Sequence, residues 1–258
     1  MNIAKGKYIW FVDSDDFLMK NALTYIINLL MDKDVFIVGV EYRQIPESAH
    51  FEKIKTDTAD IKFSYKESND WWSCNTVWRA ITRRKLIEEN HIRFNQKMKY
   101  GEDTLFQYYV YLYSDDPYHI MIQEPIYGYR IRENSAMGNK SIDAINKHVE
   151  DLVEMGRIYK RELEGGKIKD LIKLDNTLKR FSLSIQGALT IFPDSNIEKK
   201  QFMENLIQEK LFPYPNTLWN IPNIRGQKAK LKELIKIPFI CKWYYDFYYL
   251  LRKKLKTR

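Results

Sequence analysis

A strand that runs straight into three carboxylates, almost at the first residue, constrains this chain more than any other feature. Tyr8-Ile9-Trp10-Phe11-Val12 is β-branched and aromatic, the composition of a buried strand, and Asp13-Ser14-Asp15-Asp16 follows at once. A buried strand ending this way delivers several negative charges to one point at a sheet edge. Such charges repel unless a cation or a donor-rich ligand joins them. Hard oxygen donors suit magnesium or manganese with a phosphorylated ligand. The plainer alternative is a solvated turn in which Ser14 or Asp16 caps the next helix.

Beyond that turn, the pattern predicts a helix over 21–31, a strand over 35–42 and a polar excursion over 44–69. Trp71-Trp72-Ser73-Cys74-Asn75-Thr76-Val77-Trp78 is dense in rings, and a helix is expected over 79–89. Gly101-Glu102-Asp103 opens a helix over 104–113, and two short strands are expected over 118–122 and 125–131. From about Ser141 only helices are expected, over 142–164, 167–192 and 197–210. The order is α/β first and all-α afterwards, which implies a catalytic or binding unit followed by a helical appendage. The expected divisions are 1–138, 139–222 and 223–258.

Two further elements carry candidate chemistry. Glu102 and Asp103 stand at a helix start, where acids are stabilised by free N–H groups and the dipole. One of them could equally act as a general base toward an incoming hydroxyl. Tyr129-Arg130-Ile131-Arg132 ends a strand in two arginines, whose forks match phosphate oxygens; an ordinary sheet edge with solvated arginines is the alternative.

The succession AKGKYIWFVDSDDF, WRAITRRKLIEENHIRF, YGEDTLF and YGYRIRENSAMGN closely resembles family 2 glycosyltransferases, bacterial inverting enzymes of the GT-A fold that build surface polysaccharides. The resemblance covers roughly 3–138 and implies a partial GT-A (Rossmann-like) nucleotide-sugar transferase domain followed by a helical C-terminal region. It implies Asp15 as the metal ligand for Mg or Mn and Asp13 on the donor side, with Asp16 beside them. Asp103 becomes the catalytic base, Glu102 its neighbour, and Arg130 or Arg132 a contact to the diphosphate. Trp71, Trp72 and Trp78 could stack on acceptor sugar rings, or simply pack in the core. The expected reaction moves a sugar from a nucleotide-diphosphate donor to a glycan or lipid-linked acceptor, with inversion. Family members carry opening βαβ units before Ala4-Lys5-Gly6, so an N-terminally truncated chain is expected. From that follow two alternatives, a partner chain that supplies the other half, and a non-catalytic remnant acting as a membrane-associated scaffold.

Charge is unevenly spread. The net charge is +8, yet from Arg225 onward eleven basic residues face only Glu233 and Asp246, so the body is close to neutral. The segment 235–256 mixes Trp, Tyr and aliphatics with lysines, which suits an anionic membrane surface. A helix packed on the body is the alternative; nucleic acid is not expected, because it leaves both acid clusters unexplained. No stretch reaches the roughly 20 apolar residues of a membrane span. Two distant cysteines, Cys74 and Cys241, argue against a disulfide framework. The expected location is cytoplasmic, peripheral at the inner face of the cell membrane.

Overall fold

The computed structural model describes residues 3–47, 64–68, 74–115, 119–132 and 138–212. Trp71, Trp72, the loop 133–137 and the basic tail 223–258 lie outside the described residues. The chain divides into a sheet unit, Met1–Lys97 with Glu102–Gly138, and a helical unit, Met98–Gly101 with Asn139–Arg258.

The sheet unit contains β1 (Tyr8–Trp10), β2 (Phe17–Leu18), α1 (Ala22–Asp32), β3 (Ile37–Pro46), β4 (Tyr65–Ser68), β5 (Ala80–Arg83), α2 (Arg84–Glu89), α3 (Glu102–Tyr113) and β6 (His119–Ile131). The strands form one mixed sheet in the order β1-β5-β3-β6-β2, and β4 also pairs with β6. Only β3 and β6 run parallel. Residues of period two alternate between two cores, as a sheet covered on both faces requires. Ile37, Ala80 and Met121 join Ile87 of α2 and Phe106, Val110 and Tyr111 of α3. Val38, Ile81, Ile120 and Ile122 join Ala22, Ile26 and Leu29 of α1. The fold is thus α/β followed by helices, as the residue pattern implied.

Several local expectations are corrected. Residues 79–89 are not one helix: a 3₁₀ turn (Val77–Arg79) leads into β5, and only Arg84–Glu89 is helical. Burying Ile81 between β1 and β3 is worth roughly 2 kcal/mol, whereas helix propensity offers about a few tenths per residue. The two strands expected over 118–131 are one, β6. Its register against β3 shifts at Glu41, opposite Pro125, where a missing N–H is tolerated at an irregularity. The polar excursion begins later than expected, since β3 runs to Pro46, and it contains β4. β1 is half-buried rather than buried, because among the described residues it pairs only with β5. Neither Ser14 nor Asp16 caps α1: β2 intervenes, and the cap position falls to Asn21, with φ 64° and no side-chain bond.

The helical unit holds α4 (Ile142–Glu164), α5 (Leu171–Ile191) and α6 (Lys199–Gln208). Ser141, Asp170 and Glu198 cap them, each accepting from backbone N–H groups in the first turn. Val149, Val153, Phe181 and Ile185 are among the buried side chains of α4 and α5. The Arg157 fork grips both carboxylate oxygens of Glu209 at 2.5 and 2.8 Å.

Candidate functional site

The acidic turn is built by β6. Asp16 N–H donates to the Asp13 carbonyl at 3.1 Å, closing a turn over 13–16. Tyr127, fully buried on β6, bridges that turn. Its hydroxyl donates to Asp16 Oδ2 at 2.7 Å and accepts the Asp13 N–H at 3.1 Å. Asp16 Oδ1 accepts the Arg130 N–H at 2.8 Å, so both oxygens of this carboxylate are committed to β6. Phe17 then pairs opposite Gly128, and a Cβ at residue 128 would overlap the Phe17 ring. Close approach of β2 to β6 therefore requires glycine at that point.

The other two carboxylates are held differently. Asp15 Oδ2 pairs with Arg132 Nε at 2.7 Å. Arg130 is spent on backbone, donating to the carbonyls of Asp15 and Glu47, both at 3.1 Å. It locks the turn, while Arg132 is the arginine that meets a carboxylate. Asp13 accepts no side-chain hydrogen bond among the described residues. Its carboxyl is pushed above the usual 3.8, first by burial, then by Asp16, Asp15 and Asp103. Asp103 is the last of these causes, so one acid of the second cluster lies within electrostatic reach of the first. Asp103 itself is raised by burial, partly offset by the Thr104 N–H that it accepts at 2.6 Å. Burial, with Asp16 and Asp13, also pushes the Tyr127 phenol well above its ordinary value, so it stays protonated and donates.

Trp78 packs in the sheet unit. Its ring stacks on Tyr127 and Tyr129 at centroid distances of 4.9 and 5.1 Å and meets the Tyr42 ring edge-on at 4.9 Å. Its carbonyl accepts from Trp10 Nε1 at 2.8 Å. These ring contacts are packing of the partly buried Trp78 against the core of the sheet. Tyr127 was not singled out from sequence. Its signal was the Tyr127-Gly128-Tyr129 alternation, which sets two tyrosines on one sheet face.

Among the described residues, no three carboxylate, thiolate or imidazole groups converge as a ready-made metal cage. Asp13 and Asp15 nevertheless offer hard oxygen donors, and the burial and neighbouring acids that raise Asp13 are a penalty a bound cation would relieve. The residues present therefore fit a magnesium or manganese ion, with Arg132 now balancing Asp15.

Residues 1–90 match the family model described as Glycosyl transferase family 2, a span that includes the acidic turn and stops short of Asp103. The uncharacterized glycosyltransferase EpsJ of Bacillus subtilis (strain 168) is 25% identical over 158 residues, covering 57% of this chain and 44% of EpsJ. The poly(ribitol-phosphate) beta-N-acetylglucosaminyltransferase TarP of Staphylococcus aureus (strain N315) is 26% identical over 180 residues, covering 63% of this chain and 51% of TarP. The crystal structure of S. aureus TarS 1–349 in complex with UDP-GlcNAc overlays 84% of this chain and 68% of that one, at 15% identity. The TM-score of that overlay is 0.45. The chain spans about half, or less, of the length of these curated relatives. Residues 1–90 of this chain are thus similar to glycosyl transferase family 2, and these curated relatives are glycosyltransferases by name.

Proposed function

We propose that this chain carries the acid cluster of an inverting glycosyltransferase, which moves a sugar from a nucleotide-diphosphate donor to a glycan or lipid-linked acceptor in surface polysaccharide synthesis. The observation that carries the reading is the electrostatic proximity of Asp103, on α3, to Asp13, in the turn that follows β1. Asp13 and Asp15 would hold magnesium or manganese on the donor side, and a bound ion supplies positive charge for the leaving diphosphate. Arg132, already on Asp15, stands ready to pair with a phosphate oxygen. Asp103 takes the proton from the acceptor hydroxyl, and the burial that raises its proton affinity makes it a better base for that task. Attack by that oxygen opposite the leaving group gives inversion. The basic aromatic tail would hold the chain at an anionic membrane surface, near a lipid-linked acceptor.

A second reading, a non-catalytic partner of such an enzyme, is favoured by the Arg132–Asp15 pair, which neutralises the proposed metal ligand with no cation. Titration calorimetry of the 258-residue chain with MnCl₂ and uridine or guanosine diphosphate separates the two. The catalytic reading expects nucleotide binding that needs manganese, lost in Asp15→Asn and kept in Asp103→Asn, with transfer abolished in the latter. Absence of metal-dependent nucleotide binding supports the partner reading.

A further inference from the structure

We propose that Asp151, on α4, is a positioning residue for the Glu102–Asp103 pair, an inference that rests on Asp103 as the base. Met98–Gly101 belongs to the helical unit, although the chain before and after it belongs to the sheet unit. A buried carboxylate holds it there. Asp151 is 2% exposed, and its Oδ2 accepts the N–H groups of Lys99 and Tyr100 at 2.9 and 3.0 Å. Its Oδ1 pairs with Lys147 Nζ at 2.6 Å, one turn earlier on α4. Two further α4 residues read the same segment. The Tyr100 ring stacks on His148 at 4.6 Å. Gly101 has φ 78°, and a Cβ there would stand 2.6 Å from Met155 Sδ.

His148, Asp151 and Met155 lie three and four residues apart, on one helix face. Together they fix Lys99, Tyr100 and Gly101, and the next residue, Glu102, begins α3. With about 3.8 Å between successive Cα atoms, Asp103 lies within about 11 Å of Tyr100, so little slack separates clamp and base. An apolar residue would fill the same space without the cost of burying a charge. What the carboxylate adds is directional hold on two backbone N–H groups. Release of that hold frees residues 99–101 and loosens the first turn of α3, which carries the Asp103 carboxyl.

The test is nuclear magnetic resonance of the full chain, following the Asp103 carboxyl resonance and amide exchange at Lys99, Tyr100 and Thr104. Asp151→Leu removes both acceptors and should speed exchange at all three amides by about tenfold, as loss of a hydrogen bond implies, while shifting the Asp103 resonance. Asp151→Asn keeps an oxygen of the same reach and should restore most of that shift. Lys147→Met loosens the carboxylate from behind and should give a smaller shift of the same sign, which keeps the test open if Asp151→Leu does not fold. The proposal is overturned if Lys99 and Tyr100 exchange faster while Thr104 and Asp103 stay unmoved. It is equally overturned if Asn and Leu shift Asp103 alike, or if Lys147→Met leaves it unmoved. Failure of the base reading shows elsewhere, as retained transfer in Asp103→Asn, which these signals do not touch.

Discussion

Tyr127 donates its hydroxyl to Asp16 Oδ2 at 2.7 Å, tying β6 to the last acid of the turn over 13–16. The same oxygen accepts the Asp13 N–H, so one phenol orders both ends of the turn. Asp16 is therefore an anchor of the turn, and the metal site proposed above falls to Asp13 and the Arg132-paired Asp15.

Tyr127→Phe removes that oxygen while keeping the ring between Trp78 and the sheet. It strands the Asp13 N–H and one Asp16 oxygen, so a loss of about 1–3 kcal/mol is expected. Urea unfolding measures it. Manganese-dependent nucleotide binding should weaken as well, and calorimetry that finds it unchanged would remove Tyr127 from the site's support.

Asp13 and Asp103 both have pKa values raised above 3.8 in the fold. Between 3.8 and those raised values the folded chain binds more protons than the unfolded one. Their contribution to stability is therefore full below 3.8 and is lost as pH rises through the folded values. Asp13→Asn should flatten that part of the pH–stability curve and raise the melting temperature of the metal-free chain at pH 7. Manganese should raise the melting temperature of the wild-type chain and do so far less in the variant. An Asn variant with the wild-type slope would show that Asp13 is not the strained acid.

How far the sequence led can be read from single residues. The long helix over 142–164 was legible because Ser141 caps it and its apolar spacing persists over many turns. Both acid clusters were legible as local runs. Their convergence followed only from the resemblance, since Asp13 and Asp103 lie ninety residues apart and no local pattern joins them. β5 was missed because Arg79-Ala80-Ile81-Thr82-Arg83 has no turn signal before the helix that follows. Its strand character comes from neighbours β1 and β3, which local propensity does not see. Asp16 was expected beside the donor-side acids or as a helix cap, because nothing in Asp-Ser-Asp-Asp tells which acid faces β6.

Gly101→Ala tests the junction ahead of α3 from its backbone. A side chain there meets Met155 and must adopt φ near 78°. A destabilisation of about 1–3 kcal/mol is expected. Gly101→Ala with Met155→Ala should recover the steric part only, leaving the cost of positive φ. Denaturant midpoints of the single and double variants give both terms, and full recovery would show that the backbone is unstrained.

The basic aromatic tail gives the last expectation. From Arg225 on, eleven basic residues face two acids, and each near an anionic surface contributes about 1 kcal/mol. Among the described residues no helix is long and apolar enough to cross a membrane. The chain should sediment with vesicles containing anionic lipid, less so with neutral ones, and less as salt screens the attraction. Removal of 238–258 takes away five of the eleven basic residues besides Lys242 and nearly all the tail's rings, and sedimentation should then fail. Sedimentation that survives the deletion and high salt alike would place any membrane attachment elsewhere in the chain.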